Sequence, residues 1–148
     1  MGEGSLKEKF RGNVAAIDLL RSLSERTGTA LLFITHDLGV VAETCERMFT
    51  MYAGQVVEDG MTDAVLEKPL HPYTSGLLRS IPRLSERKTV LPSIRGRVPS
   101  PAEMPTGCRF APRCSHRGPA CDQPQAIEDT GGHRVRCVRQ AELALPGA

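Results

Sequence analysis

Ala30-Leu31-Leu32-Phe33-Ile34-Thr35-His36-Asp37-Leu38-Gly39-Val40-Val41-Ala42-Glu43 is the stretch on which the fold turns. An apolar run of bulky side chains stops at the polar Thr35-His36-Asp37, and a helical pattern follows. The pattern predicts a strand over residues 30–35 buried on both faces, a short loop, and a helix capped by Asp37. In open α/β sheets the carboxyl ends of the strands face the ligand crevice, so His36 stands where a ligand would be met. An imidazole there can donate a hydrogen bond to a phosphate oxygen or change charge near neutral pH.

Upstream of that stretch, Asn13 can cap a helix whose apolar side is Ala16, Ile17, Leu20 and Leu23, with Thr27-Gly28 ending it. Downstream, Leu38, Val41, Ala42 and Cys45 form the inward face of the helix after Asp37, which makes Cys45 a small core residue. Residues 47–52 and 55–59 read as two short strands joined through Ala53-Gly54. Thr62 or Asp63 can start a short helix through Glu67 that Pro69 stops. Leu70-His71-Pro72-Tyr73-Thr74 leads into another helix, with Pro72 in its first turn and Leu77, Leu78 and Ile81 on the buried side. His71 and Tyr73 read as helix-start packing. Beyond Pro82 the periodicity fades, and residues 83–106 look like a linker or a wrapping segment.

Phe33-Ile34-Thr35-His36-Asp37-Leu38, followed by Met51-Tyr52-Ala53-Gly54-Gln55-Val56-Val57-Glu58, resembles the switch-histidine region of ABC-transporter ATPase subunits. The similarity is closest to those of oligopeptide and dipeptide importers. It implies an α/β fold and a contact between His36 and the γ-phosphate of ATP.

The chain has 148 residues, enough for one ordinary domain or two small ones. No apolar run approaches the length that spans a bilayer, and the N-terminal residues lack the apolar centre of a signal peptide. A cytoplasmic location is expected. The net charge of +2 hides an asymmetry: residues 1–78 carry a balance of −4, and residues 79–139 a balance of +7. A basic second half could meet nucleic acid, anionic lipid or an anionic cofactor. No nucleic acid is expected, because the stacking aromatics such a surface uses are missing.

Cys108, Cys114, Cys121 and Cys137 are spaced C-x5-C-x6-C-x15-C on Gly- and Pro-rich backbone. So little apolar material surrounds them that a cross-link or metal must supply what burial does not. A reducing cytosol disfavours disulfides. Structural zinc usually pairs cysteines two to four residues apart, which none of these spacings match. A cubane iron–sulfur cluster is larger and suits wider, unequal spacing, and its anionic charge would suit Arg109, Arg113, Arg117, Arg134 and Arg136 nearby. On these grounds a cluster is favoured over zinc, with both open.

His71-Pro72-Tyr73-Thr74, Ile81-Pro82 and Pro105-Thr106-Gly107-Cys108-Arg109-Phe110-Ala111-Pro112-Arg113-Cys114 resemble the C-terminal extension of the same importer ATPases. That resemblance implies a [4Fe–4S] cluster on Cys108, Cys114, Cys121 and Cys137. Ser115 stands where that pattern often has proline.

The sequence contains no G-x-x-x-x-G-K-[ST] loop, no acidic strand end for magnesium and the catalytic glutamate, and no signature motif. The expectation is a truncated ATP-binding subunit of an oligopeptide/dipeptide ABC importer. Residues 1–68 would be the C-terminal remnant of the ABC-type (P-loop NTPase) nucleotide-binding domain. Residues 69–148 would be the extension with its irregular four-cysteine module, the linker lying at about 82–106. The implied partners are transmembrane permease subunits and a second ATPase subunit at the cytoplasmic face of the membrane. ATP and Mg2+ would serve only the intact parent, and the chain alone is expected to be inactive. The rival expectation is a stand-alone metal-binding interaction module, with zinc or an iron–sulfur cluster and no catalytic duty.

Overall fold

The computed structural model describes residues 14–81 and 93–148. The chain divides into two compact units, Met1–Glu46 and Arg47–Ala148.

In the first unit, helix α1 spans Val14–Thr27 and ends at Gly28, whose φ of +64° is the left-handed turn that closes a helix. Leu20 and Leu23, the expected apolar side of α1, are exposed. Asn13, the expected cap, lies outside the described residues. Helix α2 spans Leu38–Thr44 and is capped as expected: the Asp37 carboxylate accepts the N–H groups of Gly39 at 2.9 Å and Val40 at 3.3 Å. Cys45 is not on its inward face but is the C-cap residue, its N–H bonded to the Val41 carbonyl.

The strand expected over residues 30–35 does not form. That segment has no regular structure, and Leu32 and Ile34 are 79% and 93% exposed. A strand buried on both faces needs a hydrogen-bonded neighbour at each edge, and none of the described strands pairs with this one. Apolar content had signalled burial where pairing was missing.

The second unit is built on an antiparallel sheet of order β1-β2-β4-β3. Strands β1 (Arg47–Tyr52) and β2 (Gln55–Met61) form a hairpin through Ala53 and Gly54, which take φ of +47° and +77° as two-residue hairpin turns require. The register shifts between Thr50 and Met51, a bulge that leaves Val57 without an opposite partner in β1. Strand β1 alternates, with Met48, Thr50 and Tyr52 inward. Strand β2 is covered on both faces from Val57 to Gly60.

Helix α3 (Thr62–Glu67) buries Val65 and Leu66, and helix α4 (Pro72–Arg79) buries Leu78. Two short strands, β3 (Glu128–Asp129) and β4 (Arg134–Val135), complete the sheet, β4 pairing Val135 with Glu58 and Arg134 with Asp59. This pairing ties the chain around residue 58 to the segment carrying the last cysteine. Residues 93–100 of the expected linker are irregular, and a 3-10 turn spans Pro101–Glu103.

Tyr52, Val57 and Phe110 form the core, with Tyr73, Ile94, Cys108 and Cys114 packed around it. The rings of Tyr52, Tyr73 and Phe110 meet one another at 4.8–5.4 Å, in edge-on or tilted geometry. Two of the four module cysteines therefore sit on the main core.

Candidate functional site

The cysteine segment folds with almost no regular structure, by a set of short turns. A 3-10 turn at Ala111–Arg113 leads into Cys114, and another at Pro119–Asp122 carries Cys121. The Cys108 N–H donates to the Cys121 carbonyl at 2.8 Å, drawing the first and third cysteine backbones together. Gly107 makes that approach possible, since a Cβ there would overlap the Cys121 carbonyl oxygen and lie 2.6 Å from the Asp122 carbonyl carbon. The Arg136 N–H donates to the Val57 carbonyl at 2.8 Å, which anchors the residue before Cys137 against β2.

All four thiols are free, with Cys121 buried and the others half-buried. Burial is the main influence on Cys108, Cys114 and Cys137, raising each thiol above its ordinary value, and Cys137 reaches about 11. Charge on neighbouring cysteines adds to the rise: every pair among Cys108, Cys114, Cys121 and Cys137 interacts electrostatically. Backbone N–H groups oppose it. Cys108 is met by Phe110 and Ala111, Cys114 by His116 at 3.4 Å, Cys121 by Gly118 at 3.5 Å and Cys137 by Arg139. An N–H aimed at sulfur favours the thiolate, the form that binds metal.

Among the described residues no group of three or more His, Cys, Asp or Glu is arranged to hold a metal ion. The expectation of a ready-made four-cysteine metal centre is not met in that sense. Four sulfurs that influence one another electrostatically, each met by a backbone N–H, are a donor chemistry suited to a metal ion or a cluster alike.

The arginines have a different role from the one expected. Instead of simply surrounding the cysteines, three of the five bind backbone carbonyls, while Arg117 pairs with Asp122 and Arg134 with Asp59. Arg109 donates to Ala53, Arg113 to Ile94 and Arg95 at 3.0 and 2.9 Å, and Arg136 to Val56 and Gln125 at 3.1 and 2.6 Å. Arg139 reaches the His116 carbonyl at 2.7 Å and also feels the charge of Cys121 and Cys137. Irregular backbone exposes carbonyls that no ladder satisfies, and the guanidinium fork satisfies two at once.

Sequence reasoning missed a pair of fully buried carboxylates on β2. Glu58 accepts the N–H groups of Leu70 at 2.6 Å and His71 at 3.1 Å, and its Oε1 lies 2.8 Å from His133 Nε2. Asp59 pairs with Arg47 at 2.9 Å and with Arg134. Adjacent acids in a strand ordinarily read as a solvent face. What buries them is the pairing of β2 with β4 on its far edge, which the sequence does not announce. His71 is 1% exposed, and its Nδ1 accepts the Tyr73 N–H at 3.1 Å, the helix-start role expected of it. Burial lowers its pKa to about 4. His36 is exposed in the bend before α2.

Residues 57–121 match the family described as oligopeptide/dipeptide transporter, C-terminal region. That span holds Cys108, Cys114 and Cys121 but neither His36 nor Cys137. The chain is 46% identical over 128 residues to the oligopeptide transport ATP-binding protein AppD of Bacillus subtilis (strain 168), covering 85% of this chain and 39% of that protein. It is 47% identical over 122 residues to a Brucella abortus (strain 2308) protein whose name places it among peptide import ATP-binding proteins. There the shares are 82% and 37%. A Brucella ovis protein with a name of the same kind is 45% identical over 136 residues, the shares being 86% and 40%. The chain thus spans about two-fifths of the length of these relatives.

By homology, then, this is a relative of the ATP-binding proteins of peptide transport. More narrowly, it carries the C-terminal region characteristic of the oligopeptide/dipeptide transporters. Among the described residues no helix is long and apolar enough to cross a membrane.

Proposed function

We propose that the chain acts as the C-terminal region of an ATP-binding subunit in a peptide importer, at the cytoplasmic face of the membrane beside permease subunits and a second ATPase subunit. The observation that carries this is similarity over more than four-fifths of the chain to proteins named for peptide import or oligopeptide transport. In such an importer ATP binding would close two ATPase subunits and hydrolysis would reopen them. His36 would then donate a hydrogen bond to the γ-phosphate. One imidazole offers far less than a phosphate loop with its many N–H groups and its lysine. Calorimetric titration of this chain with Mg-ATP is therefore expected to show no tight binding. Tight binding would contradict the assignment of His36 as a sensor that depends on the rest of an ATPase.

Within that reading Cys108, Cys114, Cys121 and Cys137 hold a [4Fe–4S] cluster. The support is chemical: four free thiols in mutual electrostatic contact, each met by a backbone N–H, in a segment with almost no regular structure. When bound, such a cluster supplies cross-links between turns that are otherwise joined by single hydrogen bonds. Gly107 permits the close backbone approach of Cys108 and Cys121, and Arg139 sets a positive charge near Cys121 and Cys137. Iron and acid-labile sulfide in anaerobically purified protein test this. A brown sample is expected, and a colourless one with a single zinc would support the metal-module alternative instead.

A further inference from the structure

Beside the cysteine segment lies an open cleft of about 520 Å3, within the size range of small-molecule sites. One face of α4, residues 93–96, the turn after Ala111 and the segment around Pro146 form its walls. Its apolar lining includes Ile94, Phe110 and Leu145. Its polar lining includes Arg79, Arg95, Arg113, His116, Ser93 and Ser115. Among the described residues no carboxylate lines it.

The three arginines differ in what they can offer. Arg113 is fixed: two of its nitrogens donate to the Ile94 and Arg95 carbonyls, and the guanidinium lies 5.8 Å over the Tyr52 ring. It contributes a stationary positive charge. The Arg79 and Arg95 side chains are exposed and make no hydrogen bond or ion pair with a described residue. Ser75, which could have supplied a neutral polar contact, spends its hydroxyl on the Pro146 carbonyl at 2.6 Å. A concave site with this donor set and no acid among its described lining residues attracts oxyanions and holds them by charge-assisted, forked hydrogen bonds.

We propose that this cleft binds a small polyanion of the phosphate or polycarboxylate class, gripped by Arg79 and Arg95 and backed by the fixed charge of Arg113. Cys114 also lines the cleft, so the titration is made on the chain with its thiols free as well as on the chain as purified. An anion can come from a free solute or from a lipid headgroup, and a cleft of about 520 Å3 has room for the whole of a small solute.

The test is calorimetric titration of the full chain, as purified, with pyrophosphate, with tricarballylate and with phosphatidylglycerol vesicles. Saturable one-site binding of at least one soluble probe is expected. The double substitution Arg79→Gln/Arg95→Gln should weaken it roughly tenfold or more. Arg117→Gln, which alters an arginine paired with Asp122 outside the cleft, should leave it unchanged. Thermal melting checks that the variants fold, and the two single substitutions serve if the double one does not. No saturable binding of either soluble probe, equal weakening by Arg117→Gln, or binding of vesicles alone would each overturn the proposal.

Discussion

The Glu58 carboxylate receives the backbone N–H groups of Leu70 and His71 and faces the His133 ring, so one side chain from β2 organises the entry to α4 and the approach of the β3–β4 turn. Its removal would leave buried donors without partners. Glu58→Ala is therefore expected to cost about 2–4 kcal/mol in chemical denaturation, well above the cost of an exposed glutamate. A loss no larger than that of Glu67→Ala, which changes an exposed residue, would contradict this role.

His71 gives a pH signature of its own. Its pKa in the folded chain is about 4, below the ordinary 6.5, because burial disfavours the charged ring. Between those values the unfolded chain binds a proton that the folded one refuses, so stability rises with pH across that window. Acidification from about pH 6.5 to about 4 is expected to remove roughly 3 kcal/mol through this group alone. His71→Asn keeps a side-chain acceptor at the cap and should flatten that limb of the stability–pH curve. An unchanged slope would refute the assignment.

At the scale of elements, the hairpin β1–β2 is a clean case of local chemistry. Ala53 occupies the left-handed region at φ +47°, where a Cβ is unfavourable, and its carbonyl is held by Arg109. Ala53→Gly is expected to raise stability by up to about 1 kcal/mol, read as an upward shift in melting temperature. A fall would mean that the turn is not strained.

The β1–β2 hairpin, α2, α3 and α4 were legible in the sequence, because caps, prolines and alternation are local signals. Strand β1 appears over the predicted residues, whereas β2 runs on to Met61. Strands β3 and β4 were not legible: two residues each carry no periodicity, and only their pairing defines them. The strand over residues 30–35 failed for the converse reason, its apolar pattern being present and its partners missing. Of the candidate site, the four cysteines could be read from residue type alone. The N–H groups aimed at their sulfurs and the arginines bound to carbonyls could not, since both depend on turns that have no signature.

On the scale of the whole molecule, the two compact units differ in how much of their apolar surface they cover. In Arg47–Ala148 the core is small and aromatic, and irregular backbone is stapled by arginine. In Met1–Glu46 Leu31, Leu32 and Ile34 remain exposed. Cys121 and Cys137 lie on irregular backbone joined by single hydrogen bonds, which is where a sulfur-bound group would have its largest effect. The most direct measurement is iron and acid-labile sulfide per chain, with visible absorbance and melting temperature, for anaerobically purified protein and for single Cys→Ser variants at positions 108, 114, 121 and 137. Cluster ligation by the four thiols predicts about four iron and four sulfide in the native chain, with loss of colour and a lower melting temperature in each variant. Variants that match the native chain in metal content and melting temperature would contradict it.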